Sequence, residues 1–368
     1  MTGDELFDIV ATYAGFGIHH SGTEGDRRTV EWLVDRLSAM DAYGGPHIHE
    51  FDRWVGSAEL TLSDRDEQTV PVKPLFYSAV GEHDTTDLDV VAVDFAAAGN
   101  PHELSLLLAD RPHRSAVVIS IDGPDDDPIQ CNRVPTDLFG RPAVVIAGNW
   151  RNRVAAGARL RFGGHTEPAQ TSSIAATLGP IDAPRVTLTT PLTGWTPAAG
   201  ERGTGLAIAL AMANDLALDH HVTFLGCSGH ELDHLGLRSL LKIWGEDDDP
   251  VIHLGASMGA VEHIDRTAQL AKSRMVLTTA TGKTRSAIGS RATDANWTLR
   301  DLDVWPGEGG TWREAGRSVL SFLGYFSLFH AMGDVAERAT TPEAMELAAD
   351  VAVDAARLFL DAELEATR

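Results

Sequence analysis

One stretch constrains the fold more than any other. Residues 222–236 read VTFLGCSGHELDHLG: an apolar run, Val222, Thr223, Phe224 and Leu225, ends at Gly226, and His230, Glu231, Asp233 and His234 follow within a few residues. The apolar-rich GLRSLLKIW comes next. The β-branched and aromatic content predicts a buried strand that delivers polar groups at its C-terminal end, with a helix behind it. In open α/β sheets that end of a strand is where ligands bind. HELDH also satisfies the HExxH pattern, in which two histidines one helical turn apart hold zinc. That pattern needs a helix already running through the first histidine. Gly226, Ser228 and Gly229 stand directly before His230 and favour a strand-to-helix loop instead.

The flanking segments extend the pattern. Residues 3–14 read as a short helix; Thr23 with Asp26 caps a second, in which Val30, Leu33, Val34, Leu37 and Met40 recur at helical spacing. Between 46 and 62 two strand-like stretches, HIHEFDRWV and SAELTL, meet at Gly56 and Ser57. From 172 onward SIAATLGP, RVTLTT, VIHLGA, MVLTTA, SVLSFLG and LFHA are strand candidates. TGLAIALAMANDLAL reads as an apolar helix, and a closing helix has Pro342 near its start. This alternation predicts an α/β fold with a mostly parallel central sheet covered by helices on both faces. From about 70 to 170 short β runs (Val90–Val93, Ala116–Ile121, Ala143–Ala147) are separated by loops rich in Pro, Asp and Gly. The expected division is therefore a main domain of residues 1–70 and 171–368, interrupted by a small β-rich domain of residues 71–170 that serves as lid or scaffold.

Composition bounds the function classes. With 368 residues and 43% hydrophobic content the chain has the make-up of a soluble globular protein, and its formal charge of −23 argues against nucleic acid or an anionic membrane as partner. The opening MTGDELFDIV lacks a signal-peptide pattern, and Cys131 and Cys227 stand far apart, so a reduced, cytoplasmic protein is expected.

Polar residues just after apolar strands are the candidates for chemistry. They are Glu201 in PAAGERGTG, His230 and Glu231, His253 in VIHLGA, Glu308 in PGEGGTW and His330 in LFHAMGD. Glu201, Glu231 and His330 form the mixed oxygen and nitrogen set that suits one catalytic zinc with an open position for water. His234 is a candidate for a supporting role one turn beyond His230, and Trp195 and Trp312 flank the site loops as candidate pocket walls.

The order of these segments is similar to that of the co-catalytic zinc aminopeptidase family, which includes bacterial leucyl aminopeptidases, glutamate carboxypeptidases and glutaminyl cyclases. The family's bridging aspartate falls on Glu201 and its tandem glutamates on His230 and Glu231. Its late histidine falls on His330 with Asp334 close behind, and an acidic residue before the last strand falls on Glu308. SGTEGDRRTVEWL, from Ser21, is similar to the family's opening helix, and the 71–170 insert sits where many members carry a protease-associated domain. There are departures. Pro191 and Thr193 occupy the His-x-Asp position, Gly255 occupies that of the third-strand aspartate, and His253 is the nearest substitute ligand.

The resemblance implies a metal-dependent hydrolase of an amide bond in a small peptide or N-acyl amino acid. One zinc per chain would be held by Glu201, Glu231 and His330, with His230 and Glu308 moving protons. Two alternatives stand beside it: acyl transfer of the glutaminyl-cyclase kind, and a metal-free binding protein that keeps the fold without the chemistry.

Overall fold

The structure is a computed structural model describing residues 1–63, 67–99, 101–109, 114–132, 140–244, 248–264 and 267–366. The expected central strand forms at His221–Cys227. Its alternating side chains serve two cores. Val222 and Phe224 pack with the helix Thr204–Leu216, whereas Leu225 and Cys227 pack with Leu237, Leu240 and Trp312. That double burial explains the unbroken apolar run in the sequence.

Among the described residues this strand belongs to a ten-stranded sheet. At its middle, Val319–Gly324, Val251–Leu254, Arg185–Pro191 and His221–Cys227 run parallel in that order. Next to them the pairing turns antiparallel: Ala158–Leu178 against His221–Cys227, Tyr43–Leu62 against Ala158–Leu178, and Arg274–Thr278 against Val319–Gly324, while the edge strand Trp297–Leu299 is again parallel to Arg274–Thr278. The sheet is therefore mixed, not mostly parallel as expected. Parallel neighbours need a long crossover, which the helices Thr204–Leu216 and Leu235–Trp244 supply; the helix-free link 179–184 instead reverses the chain direction.

Two further expectations are corrected. Tyr43–Leu62 is one strand, its Gly56 and Ser57 paired with Gly164 and Gly163. A Cβ at Gly56 would strike the Trp54 ring, so the glycine keeps the strand unbroken where that indole lies against it. LFHA is a turn, with His330 at φ +62.

The segment 71–170 contributes a four-stranded sheet ordered Lys73–Pro74, Ala143–Ala147, Ala116–Ile121 and Leu88–Val93, the last three parallel. Val117, Ile119 and Ile121 join the main core, while Ala116 and Val118 pack with Trp54, Leu160 and Phe162 of the long strands. The expected boundary at residue 170 falls inside the strand Ala158–Leu178. Among the described residues no helix is long and apolar enough to cross a membrane.

Candidate active site

After Cys227 the chain makes a turn, and the next helix starts only at Leu235. Asp233 and His234 are left-handed, at φ +55 and +59, so HELDH forms no helical zinc pair and His234 is not on the helix where it was expected. The His230 and His234 rings lie 4.9 Å apart instead. Thr193 organises the turn. Its hydroxyl accepts from the Gly229 N–H (2.9 Å) and the His230 N–H (3.2 Å) and donates to Glu231 Oε2 (2.7 Å). The Ser21 N–H donates to Glu231 Oε1 (2.7 Å), so both oxygens of this buried carboxylate are held by protein donors.

Glu201 sits in a π-turn, Ala199–Gly203, entered through a left-handed Ala198 at φ +51. Asp334 holds that turn by accepting from the N–H groups of Gly200 (2.6 Å) and Glu201 (3.1 Å). The next residue, Arg202, is buried too. Its Nε donates to the Thr193 carbonyl (2.9 Å), and its Nη2 lies 2.9 Å from Glu201 Oε1, with the two side chains 4% and 0% exposed. His330 approaches from the other side: its Nδ1 donates to the Gln130 carbonyl (3.0 Å) and its Nε2 is 3.4 Å from the same Glu201 oxygen. Left-handed backbone at Ala198, Asp233, His234 and His330 thus clusters where the candidate groups meet.

Burial dominates the electrostatics. It would raise the Glu201 carboxyl, but Arg202 and then His330 outweigh it and hold the group below its ordinary value. It lowers His230 well below the usual imidazole range, His234 to about 4 and His253 to about 3, with Arg202 adding to each. Glu308 is raised by burial to about 8, and its Oε1 lies 3.2 Å from His230 Nδ1. Asp334 is also raised by burial to about 8. His253 Nδ1 bonds Ser321 Oγ (2.9 Å), and its buried Nε2 has no hydrogen-bond partner among the described residues.

These groups border a cavity of about 1090 Å³, lined by Arg202, His230, Glu231, His234, His253 and His330 at its polar side. Trp195 and Trp312 are not among its lining residues. Trp195 is buried against Phe76 and His20 and donates to Asn132 Oδ1 (2.8 Å); Trp312 fills the core beside Leu237. Sequence reasoning passed over Arg202 and read Thr193 only as a lost ligand. Arg202's signal was its place beside Glu201 in a glycine-rich helix entry, while Thr193 carried none beyond its alignment position.

A zinc site gathers three or four ligand atoms at about 2.0–2.3 Å from one point. Here Glu201 Oε1 already faces a guanidinium, and Glu231 is occupied by Ser21 and Thr193. Among the described residues no group of three or more His, Cys, Asp or Glu side chains is placed to hold a metal ion. Only Glu201 and His330 of the expected set bring donor atoms together. The residues in this arrangement do not fit a zinc ion.

No protein-family model and no curated protein sequence matches the chain. Solved structures do. A zinc aminopeptidase from Bacillus subtilis aligns with TM-score 0.73 at 13% identity, over 96% of this chain and 94% of that one. A peptidase M28 precursor from Shewanella amazonensis aligns with TM-score 0.74 at 16% identity, over 96% and 92%. An aminopeptidase from Aneurinibacillus sp. strain AM-1 aligns with TM-score 0.63 at 12% identity, over 96% and 93%. The chain has the fold of these peptidases over nearly its whole length.

Proposed function

We propose that this chain is a metal-independent binding protein on an aminopeptidase fold, its cavity taking a small peptide or amino-acid-derived molecule. The observation that carries this reading is the buried Arg202–Glu201 pair, at 2.9 Å. A guanidinium there supplies the positive charge that an aminopeptidase draws from its metal, and it repels a second cation at the same carboxylate. Arg202 is anchored through Nε to the Thr193 carbonyl, which holds the pair in register with the Glu231 turn. His230, bonded to Glu308, and His253 line the cavity beside it. That the structural neighbours are peptidases supports a peptidic ligand.

One observation favours a second reading, the single-zinc hydrolase with Glu201, Glu231 and His330 as ligands and His230 and Glu308 as proton carriers. Glu201 Oε1 and His330 Nε2 approach to 3.4 Å, and the carbonyl bond on His330 Nδ1 orients the ring as in many metal-bound histidines.

The deciding experiment is elemental analysis of protein purified without chelator or nickel, together with thermal shifts by Zn²⁺, EDTA and a panel of dipeptides and N-acyl amino-acid amides. The binding reading expects no stoichiometric metal, no shift by Zn²⁺ or EDTA, and stabilisation by members of the panel. About one zinc per chain, lost in His330→Ala, would overturn it in favour of the hydrolase.

A further inference from the structure

We propose that the polar side of the cavity is a carboxylate site, so that the molecule it takes enters with an anionic end and not with a free ammonium. This rests on the binding reading above and adds the chemical class of the ligand. What decides it is which atoms there can still give a hydrogen bond and which can still take one. Arg202, His230 and His234 line the cavity and are left as donors. Arg202 spends Nε on the Thr193 carbonyl and turns Nη2 to Glu201, while its Nη1 makes no hydrogen bond among the described residues. His234 Nδ1 lies 2.8 Å from the hydroxyl of Thr311. Thr311 is 7% exposed and its hydroxyl makes no other bond among the described residues, so it satisfies its proton by donating to the imidazole. Nδ1 is then the acceptor, and the neutral ring carries its own hydrogen on Nε2. The His230 ring, 4.9 Å away, is in the same state: Glu308, raised by burial to about 8, keeps its proton near neutrality and gives it to His230 Nδ1 across 3.2 Å.

The acceptors, by contrast, are already taken. Of the carboxylates that line the cavity, Glu231 accepts from Ser21 and Thr193, Glu262 from the N–H and hydroxyl of Ser327, and Asp233 from Arg238. Glu103, on the helix Pro101–Ala109, is exposed to solvent. Glu201 faces Arg202, and His330 is held between the Gln130 carbonyl and Glu201. Burial above all keeps His230 and His234 neutral, and Arg202 adds to it, so the field of that guanidinium reaches both rings in spite of Glu201. A carboxylate set against Arg202 and the two imidazoles gains charge-assisted hydrogen bonds. An ammonium in the same place would meet a guanidinium and N–H groups, with no acceptor left to receive it.

The test is calorimetry with N-acetyl-leucine, which carries a carboxylate, its neutral amide, leucinamide, which carries an ammonium, and inorganic phosphate. N-acetyl-leucine should bind about tenfold or more tighter than its amide, and tighter than leucinamide or phosphate. His234→Asn, in which asparagine tolerates the left-handed backbone at φ +59, should lower that acid-to-amide ratio about threefold or more. Nitrogen NMR of histidine-labelled protein reads the ring directly and decides the matter should His234→Asn fail to fold. The proton should sit on Nε2 of His234 in the wild type, and Thr311→Val should let it pass to Nδ1. Equal affinity for acid and amide, tighter binding of leucinamide or of phosphate, an unchanged ratio in His234→Asn, or a proton on Nδ1 of wild-type His234 overturns the carboxylate site and leaves the binding reading standing. Binding of none of the probes overturns both.

Discussion

The two walls of the cavity are built on opposite principles. The polar wall, at the strand ends, is a set of buried charges and hydrogen bonds in which Arg202, Thr193, Glu231 and Asp334 hold one another. The apolar wall, from Phe95, Ala98, Gly99, Ile129, Tyr325 and Phe329, meets the cavity with ring faces and with a glycine that has room beside it. A buried ionic wall is costly to alter because each change strands a partner. An apolar wall with free space tolerates change and so can tune which ligand fits. The fold is therefore expected to depend on the first wall, and the size of ligand accepted on the second.

The largest effect should come from Arg202→Met. It leaves Glu201 buried without its cation and should cost about 3–5 kcal/mol in urea unfolding, much of it recovered in the double variant with Glu201→Leu. Recovery would show that the loss lies in the stranded carboxylate; a small loss in the single variant would mean the polar wall is not the rigid one.

Asp26 tests the support beneath that wall. It is buried, accepts from the Gly22 N–H (2.8 Å) and Thr171 Oγ1 (2.7 Å), and is raised by burial to about 7 from an ordinary 3.8. The adjoining N–H, that of Ser21, holds Glu231. Because the folded value is raised, the folded state binds the extra proton between the two values. The stability Asp26 contributes is present below the unfolded value and lost as pH rises through about 7. Asp26→Asn, which imitates the protonated form, should thus gain on the wild type by about 1 kcal/mol per pH unit across that window. Parallel stability curves for the two proteins would show that Asp26 does not titrate there.

Much of the fold was legible before the structure. The strand His221–Cys227, the helix Thr204–Leu216 and the cap at Thr23 are written in apolar period and local capping chemistry. What escaped was tertiary. The antiparallel flank depends on which strand the link 179–184 returns beside, and no local signal states that. In the site, Glu201 and His330 lie 3.4 Å apart. The role of Arg202 was illegible because a charged residue entering a helix ordinarily faces solvent, and only the packing of the turn against Thr193 turns it inward. Trp195 looked like a pocket wall but serves as a bracket for one, through Asn132, whose Nδ2 donates to the Gly99 carbonyl. Trp195→Phe should cost about 1 kcal/mol, and by loosening the apolar wall alone it should leave recognition of the carboxylate unaffected.

The same small substitution placed on each wall gives the sharpest contrast. Behind the polar wall, a Cβ at Gly309 would lie 2.3 Å from Ser321 Oγ and 3.1 Å from His253 Nδ1, so alanine there must push apart a pair already bonded at 2.9 Å. Gly309→Ala should cost about 1–3 kcal/mol by overpacking. On the apolar wall, Gly99 has only ordinary van der Waals distance to Tyr325 and no left-handed backbone to preserve. Gly99→Ala restricts the unfolded chain at a position the native backbone already suits, and should be neutral or stabilising by less than about 1 kcal/mol. Chemical denaturation of the two variants side by side measures the difference. If Gly99→Ala proves as costly as Gly309→Ala, the space beside Gly99 is not free, and the apolar wall has no more slack than the polar one.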